Sequence, residues 1–336
     1  MKSKILIIAE AGVNHNGSLK KAKKLVDIAK WAGADIVKFQ TFDASEIVTR
    51  SAKKANYQNR SIGKKKSEHQ MLEKLSLDSK MHFILSNYAK SKKIEFLSTG
   101  FDINNLKMLL GLGIKRIKIP SGEITNMQLL EFAAKQKLPI ILSTGMSNLK
   151  EIQDAIKILN KHRNKKSSIT VLHCTSEYPA PLNEANILVL KTLIKKLKTS
   201  VGYSDHTLGV EASIGAVALG AKIIEKHFTI NRNSLGPDHK TSLDPHQLKT
   251  FIKSIRNIDK ALGNKEKKVT KSEKKNKFFS RRSLVALKLI KKGEVFNLKN
   301  IGAKRPDKGI SPMKIYTLLG KKSKYNYKID QIIKKK

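Results

Sequence analysis

Eight short apolar runs alternate with segments of helical periodicity over roughly the first 260 residues, and this alternation limits the fold more than any other feature. Eight strand-then-helix units in that length are typical of a (β/α)8 TIM barrel. A doubly wound open sheet is the alternative, but it places its ligand at one switch point, whereas polar residues follow nearly every run here. The sequence therefore predicts an α/β fold of the barrel type. The predicted strands are residues 4–11, 34–42, 94–99, 116–120, 139–144, 168–174, 200–203 and 222–228.

Two histidines close neighbouring strands of this barrel. His206 follows the seventh strand in G-Y-S-D-H-T-L-G, and His227 ends the eighth in E-K-H-F-T. Because a parallel barrel gathers the carboxyl ends of its strands at one mouth, we expect the two imidazoles to lie close together. A histidine of the core with a hydrogen-bonded ring is the more ordinary case, but paired imidazoles can also hold a divalent cation. We therefore keep both interpretations, with metal binding as the functional one.

The other strand ends carry lysines, hydroxyl groups and carboxylates. Lysines supply mobile positive charge and hydroxyls supply short-range donors, so together they suit an anion with several oxygens, such as a phosphate with a carboxylate. Hydroxyls near strand ends are also ordinary turn chemistry. The carboxylates of Glu10 and Glu123 are placed for proton handling. The lysines and hydroxyl residues are Lys38, Lys118, Thr99, Ser121, Ser143 and Ser204.

No nucleotide-binding or nucleophile motif accompanies these residues. The first strand is not followed by G-x-G-x-x-G, the sequence has no P-loop, and no elbow motif surrounds a serine or cysteine. The single cysteine, Cys174, ends an apolar run where a small buried residue is common, so we assign it no catalytic role. What remains is metal-assisted chemistry on a phosphate-bearing anion.

The net charge of +41 comes from 68 Lys and Arg against 27 Asp and Glu. Such a balance raises the question of nucleic acid. Only nine of the basic residues are Arg, and the lysines are spread over nearly every helical segment without interleaved aromatics. We therefore expect no nucleic-acid partner, and we expect the positive field to favour anionic substrates.

Membrane insertion and export find no support in the sequence. No uninterrupted apolar stretch reaches the ~18 residues of a membrane span. The apolar run after the first four residues is too short for a signal peptide before Glu10. The sequence therefore predicts a cytoplasmic protein without a membrane partner.

A charged segment divides the chain. Residues 265–280 are rich in lysine and have no apolar periodicity, so we predict an exposed linker. It separates a barrel domain, residues 1–264, from a small β-rich module, residues 281–336, whose core is too small for much stability alone.

The connection after the second strand is unusually long. From Asp43 to Leu77 it is polar and weakly patterned, and ordered loops of this length are often binding loops or lids. We expect Asn56, Tyr57 and Gln58 to face a ligand, with a solvated insertion as the alternative.

Taken in order, the motifs resemble those of the sialic acid synthase family, which includes the bacterial N-acetylneuraminate synthases and their legionaminate relatives. The resemblance covers nearly the whole chain, and the set of motifs is highly specific. The motifs are A-E-A-G-V-N-H-N-G, V-K-F-Q-T-F, S-T-G-F, I-K-I-P-S-G-E, L-S-T-G-M, H-C-T-S-E-Y-P-A-P, G-Y-S-D-H-T-L-G, E-K-H-F-T, G-P-D-H and K-R-P-D-K-G-I-S-P-M.

The resemblance implies a TIM barrel fused to a C-terminal antifreeze-like (SAF, β-clip) module. It also implies a domain-swapped homodimer in which the module of one subunit caps the barrel of its partner. The implied reaction condenses phosphoenolpyruvate with the open-chain aldehyde of an N-acylated mannosamine-type sugar and releases phosphate by C–O cleavage. Mn²⁺, Mg²⁺ or another divalent cation, held by His206 and His227, would polarise the aldehyde.

The resemblance also assigns roles to individual residues. Glu10 and Glu123 would orient the reacting atoms, with Glu123 expected to transfer the proton. Ser176 stands where some relatives have Asn and is a further candidate contact for phosphoenolpyruvate. Phosphoenolpyruvate would be held by Lys38, Gln40, Thr99, Lys118, Ser121, Ser143 and Ser204, and the sugar by Tyr178, Asp238 and, from the other subunit, Arg305.

The identity of the sugar is the harder choice. We expect N-acetylmannosamine, which would make the product N-acetylneuraminate. The alternative is 2,4-diacetamido-2,4,6-trideoxymannose, which gives N,N'-diacetyllegionaminate. The two sugars differ in shape as well as in hydrogen bonding, and a pocket can discriminate between them on both grounds.

Overall fold

The computed structural model describes residues 5–63, 67–162 and 168–334. The chain divides into two compact units, Met1–Gly263 and Asn264–Lys336. None of the described helices combines the length and the apolar character that a membrane span requires.

Each of the eight predicted strands is present in the first unit, and a helix or helical segment follows each one. The strands are β1 (Leu6–Gly12), β2 (Ile36–Thr41), β3 (Glu95–Gly100), β4 (Ile117–Ile119), β5 (Ile140–Ser143), β6 (Ile169–His173), β7 (Ser200–Asp205) and β8 (Ile223–His227). The α-helices are α1 (Leu19–Ala32), α2 (Ala44–Ile47), α3 (Asn56–Ile62), α4 (Glu68–Leu75), α5 (Ser79–Ser91), α6 (Ile103–Gly111), α7 (Met127–Lys135), α8 (Leu149–His162), α9 (Val189–Leu197), α10 (Glu211–Ala218) and α11 (Pro245–Ala261).

The eight strands form one parallel sheet in the order β3-β2-β1-β8-β7-β6-β5-β4. The first and last strands are hydrogen-bonded to each other, with Glu10 opposite His227. Strands β3 and β4, at the two ends of this order, also lie side by side. This arrangement confirms the predicted (β/α)8 barrel.

The inward face of the strands changes from apolar to polar along their length. Side chains two residues apart lie on the same face of a strand, so Ile8 is followed by Glu10 and Ile223 by Glu225. The polar residues meet at the carboxyl ends, above the apolar layer. That layer, which we call the apolar plug, is a buried cluster of Ile8, Ile36, Leu97, Ile141, Leu172 and Ile223.

The outward faces of the strands pack against the helices. Ile7 and Val37 belong to the same buried cluster as Ala22 and Val26 of α1, and such burial stabilises by roughly 25 cal/mol per Å² of apolar surface. Local signals set the helix boundaries. The last helix of the unit, α11, is capped by Asp244, whose side chain accepts a hydrogen bond from the Gln247 backbone in a capping box.

The long connection between β2 and α5 is helical where the sequence predicts a loop. It contains α2, α3 and α4, and Ser67 caps α4 reciprocally with Gln70. Met71 and Leu75 of α4 are buried in a small cluster with Val13 and Phe42. Tertiary burial of this kind stabilises short helices whose own periodicity is weak.

The second unit holds α12 (Lys271–Ser280), β9 (Ser283–Ala286) and β10 (Ile301–Lys304). The two strands are antiparallel, with Ala286 opposite Ile301. The residues predicted as a linker are exposed, but they include α12, because Thr270 and Glu273 form a capping box. The core of the unit is a separate cluster of Leu284, Ala286, Ile290, Phe296, Ile301, Ile310, Tyr327 and Ile333.

Candidate active site

A cavity of about 410 Å³ lies at the carboxyl ends of the barrel strands. Its walls combine side chains that are far apart in sequence, as expected for a barrel mouth. Of the site residues predicted from sequence, the cavity brings together Glu10, Lys38, Gln40, Thr99, Lys118, Ser121, Ser143, Ser176, Tyr178, Ser204, His206, His227 and Asp238.

Two lysines and two glutamates form the bottom of this cavity, and we call them the charged floor. Lys38 Nζ lies 2.8 Å from Glu10 Oε2 and 3.6 Å from Glu225 Oε2. Lys118 Nζ lies 3.7 Å from Glu225 Oε1. All four side chains are buried. Charges taken out of water are costly unless they are paired, and each lysine of the floor has an acidic neighbour.

Hydroxyl groups extend the charged floor. Lys38 Nζ donates to Thr99 Oγ1 at 3.2 Å, and Lys118 Nζ donates to Ser143 Oγ at 2.8 Å. Ser204 Oγ in turn donates to Glu225 Oε1 at 2.9 Å. The arrangement offers fixed ammonium and hydroxyl donors within one buried space, which is the chemistry that a phosphate or carboxylate ligand requires.

Burial and pairing act in opposite directions on the two glutamates. Burial raises the pKa of Glu10 to about 7, although Lys38 opposes the shift. Burial also disfavours the charged form of Glu225, but the nearby Lys118 and Lys38 prevail and lower its pKa to about 2. Glu225 therefore stays ionised at neutral pH. Glu10 can hold or release a proton there, as a general acid or base must.

His206 and His227 meet at the rim of the charged floor. Their ring centroids are 5.5 Å apart. His206 Nδ1 lies 2.6 Å from the Thr175 carbonyl oxygen, so Nδ1 is the donor and Nε2 is left as the acceptor. Burial lowers the pKa of His206 to about 4. Burial and the neighbouring His206 ring also lower the pKa of His227. Both imidazoles are neutral at neutral pH.

These two side chains fit a divalent cation. Neutral imidazole is the form that binds metals, and the buried His227 Nδ1 has no hydrogen-bond partner among the described residues. Over residues 5–63, 67–162 and 168–334 there is no group of three or more His, Cys, Asp and Glu side chains suited to a metal. In the described part of the chain, the candidate metal ligands are therefore these two histidines.

A buried ion pair supports the strand ends that carry the histidines. Asp205 and Lys226 alternate with the inward residues, and Lys226 Nζ lies 3.1 Å from Asp205 Oδ2. Asp205 Oδ1 also accepts the Thr207 backbone N–H at 2.9 Å, and Ser213 Oγ donates to Asp205 Oδ2 at 2.6 Å. These bonds tie β7 to β8 and fix the turn around His206.

Aromatic rings cover the histidines. The Tyr178 ring lies 4.2 Å from the His206 ring and 5.5 Å from the His227 ring. Tyr57 of α3 packs on Tyr178 at 4.9 Å, so the long connection after β2 reaches the histidine side of the cavity. Tyr57 and Gln58 line the cavity, as predicted, whereas Asn56 is exposed and does not.

The loop after β1 is hydrogen-bonded to the segment that contains Asp238. Asn16 Nδ2 donates to the Leu235 carbonyl at 2.8 Å, and Asn16 Oδ1 accepts from His239 Nε2 at 3.2 Å. Asn14 Nδ2 donates to Ser242 Oγ at 2.9 Å, and Ser242 Oγ donates to the Asp238 carbonyl at 2.7 Å. The two asparagines thus fix the segment on both sides of Asp238, whose pKa burial raises to about 6.

We expect Asn16→Gly to raise the KM for the ligand that Asp238 contacts by roughly 10- to 30-fold, because two hydrogen bonds of about 1 kcal/mol each are lost. Glycine is the suitable deletion because Asn16 has a φ of 50°, where alanine would add strain. The KM for the anionic substrate should stay unchanged. Asn186, with a φ of 42°, offers the matched control Asn186→Gly. Equal changes in both KM values would contradict a role in positioning Asp238.

One predicted site residue of the first unit, Glu123, lies outside the cavity lining. Glu123 sits in the 3₁₀ turn Ser121–Glu123, and its carboxylate accepts a hydrogen bond from Asn126 Nδ2 at 2.7 Å. Arg305 belongs to the second unit, in the loop after β10. The role of Arg305 stays a prediction.

Sequence reasoning missed Glu225. The residue lies two positions before His227 and two after Ile223, so the period of a strand already placed it on the inward face. What the sequence could not give was its pairing with two lysines from β2 and β4.

The matches to known families place this chain in the sialic acid synthase class of enzymes. The chain belongs to the NeuB family: the NeuB family pattern matches residues 25–267, and the SAF domain pattern matches residues 281–336. This confirms the resemblance found in the sequence.

Three known proteins illustrate the relationship. The N,N'-diacetyllegionaminic acid synthase of Campylobacter jejuni is 53% identical over 98% of this chain and 99% of its own. The N,N'-diacetyllegionaminic acid synthase of Legionella pneumophila is 43% identical over 95% of this chain and 90% of its own. The crystal structure of an N-acetylneuraminic acid synthetase from Leptospira borgpetersenii, in complex with citrate, has a TM-score of 0.72 and 35% identity over 82% of this chain and 90% of its own.

Proposed function

We propose that the protein is an N,N'-diacetyllegionaminic acid synthase that condenses phosphoenolpyruvate with 2,4-diacetamido-2,4,6-trideoxymannose. The observation that carries this proposal is the 53% identity to the Campylobacter jejuni enzyme over nearly the full length of both chains. It reverses the order of the two sugars expected from sequence alone. N-acetylmannosamine is the second candidate, because the Leptospira borgpetersenii synthetase is named for N-acetylneuraminic acid.

The charged floor supports phosphoenolpyruvate as the first substrate. Lys38 and Lys118 offer two ammonium groups, and each has a hydroxyl beside it on Thr99 or Ser143. Phosphoenolpyruvate carries its phosphate and its carboxylate on the same carbon, C2, and both groups are acceptors for such donors. Because the donors are already fixed and dry, they need little reorganisation when the charge on the substrate changes.

The sugar aldehyde is assigned to the histidine side of the cavity. A divalent cation held by His206 and His227 would supply Lewis-acid polarisation of the aldehyde. Tyr178 covers both rings, which limits the access of water to this position. The segment around Asp238, held by Asn14 and the Asn16 side chain, offers a carboxylate to the remainder of the sugar.

In the reaction, C3 of phosphoenolpyruvate forms a bond to the aldehyde carbon, and the aldehyde oxygen takes a proton to become a hydroxyl. Water adds at C2, and the bond from C2 to the phosphate oxygen breaks. We assign the proton transfer to Glu10 and no longer to Glu123. Glu10 lies opposite His227 in the sheet and has a pKa of about 7, whereas Glu123 does not line the cavity. A homodimer with Arg305 of the second subunit at the sugar, and a cytoplasmic location, remain part of the proposal.

The test is an assay of phosphate release from phosphoenolpyruvate with each sugar in turn, with the product identified by mass. The protein is first stripped with a chelator and then titrated with Mn²⁺ or Mg²⁺. We expect turnover with the diacetamido sugar, slower turnover with N-acetylmannosamine, and recovery of activity on metal addition. Calorimetry of Mn²⁺ binding gives a readout independent of activity. Preference for N-acetylmannosamine would overturn the sugar assignment, and full activity after stripping would overturn the metal assignment.

A further inference from the structure

One wall of the cavity is built by the connection between β2 and α5. Its polar members are Tyr57, Gln58 and Glu68, and we call its aliphatic side chains the roof. The roof consists of Ile47, Val48, Ala55, Met71, Leu72 and Leu75. The cavity therefore combines a floor of buried charges and hydroxyls with a wall whose side chains are mainly aliphatic.

The roof is an ordered surface. Helices α2 and α4 pack against each other, and Met71 and Leu75 are buried against Val13 and Phe42. Ile47 and Leu72 pack on this cluster while remaining partly exposed. Side chains that are packed on one side and accessible on the other form a fixed wall for a ligand.

The roof extends from the histidine side of the cavity. Tyr57 of α3 contacts Tyr178, and Tyr178 contacts the rings of His206 and His227. A sugar whose aldehyde lies at the histidines must direct its remaining carbons away from the charged floor, where the anion is held. The roof lines the same cavity, so it is an apolar surface within it for the carbons that the Asp238 carboxylate does not contact.

We propose that the roof is a specificity subsite that takes the deoxygenated end of the sugar, with the C6 methyl and the methyl of the C4 acetamido group against Val48 and Leu72. This inference rests on the proposed function and deepens it. A methyl group buried on aliphatic side chains gains roughly 0.8 kcal/mol per carbon. Against Val48 and Leu72 the C4 and C6 hydroxyls of N-acetylmannosamine would instead lose water without gaining a partner, since the polar side chains of this connection at the cavity are those of Tyr57, Gln58 and Glu68.

The matched test uses near-isosteric polar substitutions. Val48→Thr exchanges one methyl for a hydroxyl, and Leu72→Asn exchanges two methyls for an amide, while Leu72→Met keeps an apolar side chain. The kcat/KM values for both sugars are measured at saturating phosphoenolpyruvate and Mn²⁺. We expect the preference for the diacetamido sugar to fall about tenfold in Val48→Thr and Leu72→Asn, the scale of one or two apolar groups in a pocket. It should persist in Leu72→Met, with an unchanged KM for phosphoenolpyruvate in every variant.

The outcomes separate this inference from the proposed function. A wild-type enzyme that turns over N-acetylmannosamine better, or neither sugar, removes the proposed function and the subsite together. A wild-type enzyme that prefers the diacetamido sugar, with the same preference in both polar variants, overturns the subsite alone. So does an equal loss of kcat/KM for the two sugars. Val48→Thr changes the surface least, and its unfolding temperature shows that the comparison is made on folded protein.

Discussion

The His206→Asn variant is expected to lose about a thousandfold in kcat, since a catalytic cation contributes several kcal/mol of charge stabilisation and one of its two proposed ligands is removed. Asparagine can still donate from its side-chain amide to the Thr175 carbonyl, which His206 Nδ1 contacts at 2.6 Å. The fold around the loop should therefore survive. The loss is specific to Nε2, the ring atom that remains available as an acceptor.

Three measurements define this result. Phosphate release gives kcat, calorimetry gives the affinity for Mn²⁺, and thermal unfolding shows that the variant is folded. His246→Asn is the matched control, because His246 is exposed on α11 and should change none of the three. Normal turnover in His206→Asn with weakened Mn²⁺ binding would separate the cation from catalysis. Normal Mn²⁺ affinity would show that His206 is not a ligand.

The Lys118→Met variant should lose about 10²- to 10³-fold in kcat/KM for phosphoenolpyruvate, the usual cost of removing one preorganised charged donor. Methionine keeps most of the apolar stem, so the change acts mainly on the ammonium group. That group donates to Ser143 Oγ at 2.8 Å and lies 3.7 Å from Glu225. The KM for the sugar should change little.

Lys115→Met provides the control, since Lys115 is an exposed lysine three residues earlier in the chain. Initial rates at varied phosphoenolpyruvate and fixed sugar give the effect, and equilibrium dialysis of phosphoenolpyruvate gives a binding readout without turnover. If Lys118→Met binds phosphoenolpyruvate as tightly as the wild-type protein and loses less than about threefold in rate, Lys118 is not part of the anion site.

The barrel could be predicted because strand periodicity is a local property. Every second residue of a strand shares a face, so the run that contains Lys38 and the run that contains His227 already placed these side chains at one mouth. The same rule also placed Lys118 of the charged floor at this mouth. It applies only to residues that lie within strands.

Tertiary contacts decided what the sequence could not. Glu123 follows β4 in a 3₁₀ turn, where a period of two no longer holds, and its side chain is outside the cavity lining. The helices of the roof depend on the burial of Met71 and Leu75 against residues from other elements. Glu225 was on the correct face, but its partners come from distant strands.

The apolar plug has a kinetic meaning. Its six aliphatic side chains pack inside the barrel below the lysines. We therefore expect a ligand held by the charged floor to enter and leave through the mouth of the barrel. If phosphoenolpyruvate occupies the charged floor and the sugar lies nearer the mouth, we expect phosphoenolpyruvate to bind first and phosphate to leave after the sugar-acid product. The order of substrate binding and product release in each catalytic cycle would then follow from the apolar plug.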